Sequence, residues 1–369
     1  MERPYQEALS EALEKVEFPV RIVDERGIAV FMNTYMKEIF GDLVGRKADF
    51  IFNADSASPD HSFTYHSGFI EDFPSYREVK AADVIYSIRG TAVKSSSGES
   101  YVLEIFEDIS EERRQEVLKT KNLERVRRDI SMAKEIQHGI LPAGGEYWGL
   151  VSIDSLYLPA DEIGGDLFDV IKVSEDEVLI YMADVSGHGI QASLLTMYIS
   201  EKMRTRSDYC RAGLKSMVAK IQSDFIELDI DASIYVTALI CLYNRKTRAI
   251  SVVNAGHNCP PLIIRKKGLL EEIHVRGMPL SKISDAESFE AEVISIQPGD
   301  RLVLYTDGIV EEYSRAKKKV FGSDGLRRVV EANKALDGGA IAAKIIEASD
   351  EYMILNAKDD RTVLVVKIL

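Results

Sequence analysis

Aspartates at strand ends or beside glycines recur at four places in the second half of the chain. They occur in the segments ADEIGGDLFD, ADVSGHG, YTDGIVEE and KDDRTV, which contain Asp166, Asp184, Asp307 and the pair Asp359 and Asp360. Each lies next to an apolar run typical of a strand, where a buried charge must be neutralised by a partner or a metal. Several carboxylates without a nearby His or Cys set favour hard cations such as Mg²⁺ or Mn²⁺. A single Asp beside Gly is an ordinary turn residue, so the prediction rests on the combination.

The composition is that of an acidic, folded protein. The 369 residues include 60 Asp and Glu against 46 Lys and Arg, which gives a formal net charge of −14. This charge repels phosphate backbones, so we expect no nucleic-acid partner. The three cysteines have no CxxC spacing and are odd in number, so neither a disulfide framework nor a thiolate zinc site is indicated. We expect no membrane insertion and a cytoplasmic location, because no apolar run is long enough to span a bilayer and the first residues are too charged for a signal peptide.

The length predicts at least two domains at about 150 residues per domain. We place a first domain at 1–110, a linker helix at 111–141 and a second domain at 142–369. The linker has no Pro and is highly charged, which is typical of a long solvated helix.

The linker helix has a thin apolar stripe at alternating spacings of three and four residues, formed by Leu123, Val126, Ile130, Ala133, Gln137 and Ile140. This is the spacing of a coiled coil, so we predict a homodimer through a parallel helix of a second copy. The alternative is a helix that packs on its own domains. We assign a regulatory role to Val126, Ile130, Ala133 and Gln137.

The first domain contains two short strand patterns in PVRIVDERGIAVFMN, a helical stretch, and then DVIYSIRGTAVK and ESYVLEIFEDI around the hairpin signal SSSG. This order resembles the PAS family of sensor domains over about residues 18–110. The resemblance implies an α/β sensor that also contributes to dimerisation, and it leaves the ligand open.

The second domain has nine strand patterns, in runs, and four helix patterns grouped mainly in two blocks. This grouping predicts an α+β fold with antiparallel sheets covered by helices. From Ile136 onward the chain resembles the bacterial PPM-type metal-dependent serine phosphatases, in the branch of sporulation stage II protein E and the stress-response phosphatases. The resemblance rests on ordered blocks that include AKEIQHGILP, ADVSGHGIQAS, NAGHNCPPLI, PGDRLVLYTDGIVEE and DDRTVLVV. It implies a β-sandwich flanked by helices.

The resemblance also implies two divalent cations, Mn²⁺ or Mg²⁺, and a ligand set. Asp184 bridges the ions with the backbone carbonyl of Val185 beside it, and Asp166 serves the second ion directly or through water. Asp307 and one residue of the 359–360 pair complete the first ion's shell. Alternation along a strand lets only one of that pair face inward, and we favour Asp359 over Asp360.

Glycines and histidines flank the predicted ligands. Gly164, Gly165, Gly187 and Gly189 are expected to let the backbone pass close to the metals. Among polar groups near the metals, the predicted catalytic residues are Asp166, Asp184 and His188, with His188 as a candidate proton donor or a turn residue. For His257 we expect a structural role.

The function implied is hydrolysis of phosphoserine on a partner protein, an anti-sigma-factor antagonist by family resemblance, under control of the PAS-like domain. A catalytically silent binding module is the main alternative. A histidine kinase that uses His138 is disfavoured, because the C-terminal region has no glycine-rich ATP lid. A diguanylate cyclase is disfavoured, because Leu167 in GGDLF stands where that site needs a catalytic acid.

Overall fold

A computed structural model of the chain describes residues 8, 11–47, 75–187, 189–311, 313–314, 319–352 and 359–369. The chain divides into two compact units, Met1–Arg125 and Val126–Leu369. Among the described residues, no helix combines the length and apolar character needed to cross a bilayer.

The described residues of the first unit include an antiparallel sheet of five strands and a short helix between the second and third strands. The strands are β1 (Val20–Asp24), β2 (Ala29–Met32), β3 (Ser75–Ala81), β4 (Val84–Lys94) and β5 (Ser100–Asp108), in the order β2-β1-β5-β4-β3. Helix α1 (Thr34–Phe40) begins at Asn33, whose side chain accepts a hydrogen bond from the backbone N–H of Met36 at 2.9 Å. Met36 packs with Phe106 and Tyr86 in a small core. The predicted β4–β5 hairpin is confirmed, whereas β3 had no prediction.

Helix α2 (Ser110–Ile140) starts two residues after β5 and has 31 residues, so a helix occupies nearly the range 111–141 in which a linker helix is expected. The division between the two compact units falls within it, between Arg125 and Val126.

The second unit is built on two six-stranded sheets. The first contains β8 (Asp166–Lys172), β9 (Glu177–Val185), β10 (Tyr235–Asn244), β11 (Ala249–Ala255), β14 (Leu280–Ser281) and β15 (Ala291–Ser295), with β14 paired to β10 beside the path β15-β11-β10-β9-β8. The second has the order β13-β12-β16-β19-β7-β6 and consists of β6 (Gly145–Tyr147), β7 (Val151–Leu158), β12 (Leu262–Ile264), β13 (Leu270–Glu272), β16 (Arg301–Tyr305) and β19 (Arg361–Ile368). A separate ribbon pairs β17 (Tyr313–Ser314) with β18 (Lys319–Val320).

Helices cover the outer faces of both sheets. On the first sheet lie α3 (Ile190–Arg206) and α4 (Leu214–Ile226), and on the second lie α6 (Gly322–Asn333) and α7 (Gly338–Asp350). The four-residue helix α5 (Asp307–Val310) begins after Thr306, the residue that follows β16. Alternation along β9 separates the layers: Tyr181 faces the helices, while Ile180 and Met182 face the other sheet. The unit is therefore a β-sandwich flanked by helices, and the nine predicted strands and four predicted helices of this region are all present.

Candidate metal centre

The first two predicted ligands lie opposite each other on neighbouring strands. Asp166 begins β8, Asp184 lies near the end of β9, and the antiparallel register pairs the two residues directly. Residues paired in this way project from the same face of a sheet. Asp166 is only 2% exposed and Asp184 is half-buried, so the sequence places two carboxylates side by side at the edge of the core.

The second sheet contributes the other aspartates. Asp307 is the first residue of α5, one residue beyond the end of β16, and Asp360 directly precedes β19. Strands β16 and β19 are paired, and the backbone N–H of Thr306 donates to the carbonyl oxygen of Thr362 at 3.1 Å. Two segments far apart in the chain thus meet at one end of the sandwich. The charges of Asp307 and Asp359 both act on Asp184, which places the aspartates of the two sheets in one electrostatic cluster.

The two adjacent aspartates, Asp359 and Asp360, have different surroundings. Asp360 is 6% exposed, and its carboxylate accepts hydrogen bonds from the backbone N–H groups of Ala160 at 2.8 Å, Asp166 at 3.3 Å and Gly165. Asp359 is exposed and accepts one hydrogen bond, from the N–H of Asp360 at 2.8 Å. The Asp360 oxygens are thus used by the backbone, which favours Asp359 as the predicted ligand.

The clustered carboxylates are electrostatically strained without a cation. Burial, together with the negative charges of Asp307 and Asp359, raises the pKa of Asp184 to about 7. Burial and then the charge of Asp184 raise the pKa of Asp166 well above its usual range. In the described part of the chain, no Lys or Arg lies within ion-pair distance of these aspartates.

The donor set fits a hard divalent cation, because carboxylate and carbonyl oxygens are the ligands that Mg²⁺ and Mn²⁺ prefer. Within the described residues, however, no three Asp, Glu, His or Cys side chains are close enough to one another to hold a single ion. The fit to such a cation therefore rests on the chemistry of the donors.

Two of the predicted glycines, Gly164 and Gly165, have no room for a Cβ because other groups approach them closely. A Cβ on Gly164 would clash with the Asp360 carboxylate and the Tyr157 hydroxyl, and a Cβ on Gly165 would lie 2.9 Å from the carbonyl oxygen of Val185. The predicted ligand carbonyl of Val185 thus lies against the turn that precedes Asp166.

Gly187 and Gly189 are explained by their backbone conformation rather than by crowding. A Cβ there would meet no heavy atom within 4 Å in the described chain, so crowding does not explain these two residues. Their φ angles of +96° and +78° do, because L side chains rarely adopt that conformation.

The structure describes only one of the two candidate histidines. His188 lies outside the described residues, so its role remains a prediction. His257 is buried, its Nε2 lies 3.0 Å from the carbonyl oxygen of Tyr305, and its backbone N–H donates to Asn254 Oδ1 at 2.7 Å. Burial lowers the pKa of His257, so the neutral ring donates to Tyr305 in a structural role.

The residues of α2 that were predicted to be regulatory become more buried towards the C-terminal end of the helix. Val126 is 52% exposed, Ile130 and Ala133 are half-buried, and Gln137 is 2% exposed. The Gln137 amide Nε2 donates to the Gly164 carbonyl at 2.7 Å, and its Oε1 accepts the Gly164 N–H at 3.2 Å. Gln137 therefore holds both backbone groups of a residue two positions before Asp166.

An apolar cavity of about 570 Å³ adjoins the end of β9. Its wall includes Val185 and Gly187 beside the predicted ligand Asp184, together with Leu194, Leu195 and Tyr198 of α3. By the alternation along β9, Val185 faces the helices and Asp184 faces the other sheet, so the cavity lies on the helix side of the strand.

Two positioning groups were not predicted from the sequence. Thr306 and Thr362 both donate hydrogen bonds to Asp166, and Asp360 holds the turn before it. Thr362 lies two residues from Asp360, so strand alternation puts both on the face opposite Arg361, which pairs with Asp350 at 2.6 Å. This alternation could have shown from the sequence that Thr362 and Asp360 share a face. The sequence could not show that the acceptor of Thr362 is Asp166, which lies on the other sheet.

Comparison with known proteins identifies the family. The family model for stage II sporulation protein E (SpoIIE) matches residues 174–369. The phosphoserine phosphatase RsbP of Bacillus subtilis is 29% identical over 190 residues, which cover 50% of this chain and 46% of RsbP. The chain thus spans about half the length of that relative. The phosphoserine phosphatase RsbU of B. subtilis is 23% identical over 245 residues, covering 66% of this chain and 70% of RsbU.

Two experimental structures share the fold. The SiaA-PP2C domain of Pseudomonas aeruginosa superposes with a TM-score of 0.57 at 18% identity, covering 67% of this chain and 99% of that domain. The PP2C phosphatase domain of B. subtilis SpoIIE, with a fragment of its regulatory domain, gives a TM-score of 0.50 at 17% identity, covering 76% and 70%. With the family match over 174–369, the chain belongs to the SpoIIE family, and its second unit has the fold of these PP2C domains.

Proposed function

We propose that the chain is a metal-dependent protein serine phosphatase that hydrolyses phosphoserine on a regulatory partner protein. The observation that carries the proposal is the cluster of Asp166 and Asp184 from one sheet with Asp307 and Asp359 from the other, in a member of the SpoIIE family. The relatives RsbP and RsbU are named phosphoserine phosphatases, which supports phosphoserine as the substrate.

In this proposal the four aspartates and the carbonyl of Val185 hold two divalent cations, Mn²⁺ or Mg²⁺. Such ions, when bound, supply an acidified water as the nucleophile and stabilise charge on the phosphoryl group. The chain's own groups orient the ligands: Asp360 holds the turn at Gly165, and the paired strands β8 and β9 keep Asp166 beside Asp184. His188 is proposed to protonate the leaving serine oxygen.

The substrate is proposed to be a phosphorylated anti-sigma-factor antagonist, by resemblance to the stress-response branch of the family. A folded protein substrate has to lie over the surface around the metal ligands. The apolar cavity at the end of β9, lined by Val185 and Leu194, is proposed to hold side chains that flank the phosphoserine.

Control by the first unit is proposed to pass through α2. The strands β1 and β2, helix α1 and the β4–β5 hairpin follow the order that led to the PAS resemblance, and β5 leads almost directly into α2. At the other end of α2, Gln137 bonds to the Gly164 backbone. A rotation or shift of α2 therefore acts on the turn that precedes Asp166.

A homodimer through α2 is part of the proposal. Leu123 and Val126 of the apolar stripe are 55% and 52% exposed in the single chain, and a parallel helix of a second copy would bury them.

The experiment is hydrolysis of a phosphoserine protein by the purified full chain, with Mn²⁺, with Mg²⁺ and with a chelator. We expect phosphate release that depends on the metal and stops with the chelator. A silent binding module would release no phosphate under any of these conditions.

A further inference from the structure

The hydrogen bonds of Asp166 are concentrated on one of its two carboxylate oxygens. Oδ2 accepts from the Thr306 hydroxyl at 2.7 Å and from the Thr362 hydroxyl at 2.5 Å. Within the described residues, Oδ1 accepts no hydrogen bond. The two donors come from the second sheet, whereas Asp166 belongs to the first. The carboxylate is therefore held across the sandwich at one oxygen only.

The local backbone fixes the direction of the Thr306 hydroxyl. Its oxygen accepts the backbone N–H of Thr362 at 3.0 Å, so its single hydrogen is available for donation. The nearest alternative acceptor is the carbonyl oxygen of Asp360 at 3.4 Å, which is longer than the 2.7 Å to Asp166. The hydroxyl hydrogen is thus directed to Asp166.

Both threonines are rigid donors. Thr306 and Thr362 are fully buried at 0% exposure, and a β-branched side chain has few χ1 states. The hydrogen bonds join hydroxyls to a carboxylate, and such bonds to a charged acceptor are shorter and stronger than neutral ones. Two stiff donors on one oxygen determine how the carboxylate plane is rotated.

We propose that Thr306 and Thr362 are positioning residues for the reaction, which reserve Oδ2 of Asp166 and leave Oδ1 as the oxygen that serves the divalent cation, directly or through water. The inference rests on the proposed metal-dependent function. It assigns to the threonines the orienting role that outer hydrogen-bond partners have at metal ligands.

The experiment compares two matched double variants of the full chain. Thr306→Val with Thr362→Val removes both hydroxyls and keeps the branched shape, while Thr306→Ser with Thr362→Ser keeps both hydroxyls. Calorimetric titration with Mn²⁺ in the absence of substrate measures the affinity. The Val variant should bind Mn²⁺ about 10- to 100-fold more weakly, as expected for loss of outer-shell partners, and the Ser variant should stay close to wild type.

A second readout separates positioning from general loss of structure. The Mn²⁺ concentration for half-maximal phosphatase activity should rise in the Val variant, while saturating Mn²⁺ restores part of kcat. Thermal unfolding in chelator identifies folded variants. If the double Val variant does not fold, Thr362→Val alone is titrated against Thr362→Ser, with the same expected order of affinities.

Failure of the inference about the threonines and failure of the proposed function give different results. A folded Val variant with wild-type Mn²⁺ affinity overturns the role of the threonines and leaves the proposed function standing. Equal weakening in the Ser and Val variants overturns it too, because the hydroxyls would not be responsible. Wild-type protein that binds Mn²⁺ but releases no phosphate contradicts the proposed function, and the calorimetric comparison still decides on the threonines.

Discussion

At the scale of single residues, the structure gives two adjacent aspartates different tasks. Asp360 accepts three backbone N–H groups from the Ala160–Asp166 segment, and Asp359 keeps one carboxylate oxygen free of hydrogen bonds from the described residues. One residue thus builds the turn, while the other is available to a cation.

Alanine variants of this pair should therefore fail in different ways. Asp360→Ala leaves backbone donors unpaired and should lower the free energy of unfolding by about 3 kcal/mol. Asp359→Ala should change it by no more than about 0.5 kcal/mol without metal, yet abolish metal-dependent turnover. Urea unfolding in chelator and an activity assay measure the two effects. A stable, inactive Asp360→Ala together with an active Asp359→Ala would reverse the assignment.

A second residue-scale feature is the buried Asp169 of β8. Its side chain is 1% exposed, and Arg204 Nη2 lies 2.5 Å from its carboxylate. Burial raises the pKa of Asp169 to about 6, although the charge of Arg204 opposes the shift.

This shift predicts a pH dependence of stability. Between about pH 4, where the unfolded carboxyl titrates, and pH 6, the folded protein keeps a proton that the unfolded chain loses. The contribution of Asp169 to stability therefore decreases as pH rises through this window, by about 2–3 kcal/mol at most. The Asp169→Asn variant should lack this decrease in urea unfolding measured in chelator from pH 4.5 to 7.5. Parallel pH curves for the variant and wild type would disprove the buried titration.

At the scale of elements, the turn between β7 and β8 places Asp166 beside Asp184. Gly165→Ala puts a Cβ 2.9 Å from the Val185 carbonyl oxygen, so the turn has to shift. A displacement of about 1 Å at a reacting group can cost about 100-fold in rate, and we expect a loss of turnover of that size.

Gly139→Ala is the matched control for the added methyl group. It lies in α2, where a Cβ would meet no heavy atom within 4 Å, and should raise stability by about 0.5–1 kcal/mol. Full activity in Gly165→Ala, or equal losses in both variants, would show that the turn does not set the position of Asp166.

Much of this element arrangement was predictable from sequence. Apolar runs and turn residues predicted the strands around Asp166, Asp184 and Asp307, because strand and turn signals are local. The roles of Asp360 and Thr362 were not predicted, because their partners Gly165 and Asp166 lie nearly 200 residues away and belong to another sheet. Helix α5 was also missed, since four residues are too few for a periodic pattern.

At the scale of the whole molecule, the exposed half of the α2 stripe predicts a dimer. Val126→Glu with Ile130→Glu puts like charges into the predicted seam and should give monomers in light scattering with size exclusion. Met132→Glu, at a position that is 63% exposed and off the stripe, should leave the dimer intact. A monomeric wild type, or a dimer that persists in the double variant, would contradict the coiled coil.

The net charge of −14 is unfavourable for an enzyme that must bind a phosphorylated substrate. Cations held by Asp166, Asp184, Asp307 and Asp359 would offset this charge where the phosphate binds. Substrate binding and metal binding are therefore expected to be linked.

The most direct test of this account is phosphate release from a phosphoserine protein by wild type and by Asp184→Asn, measured across a Mn²⁺ titration. Asp184 lies opposite Asp166 and is the residue we place between the two ions. We predict Mn²⁺-dependent release by wild type and release at the level of the enzyme-free blank by a folded Asp184→Asn. Near-normal, Mn²⁺-dependent turnover in Asp184→Asn would contradict the account.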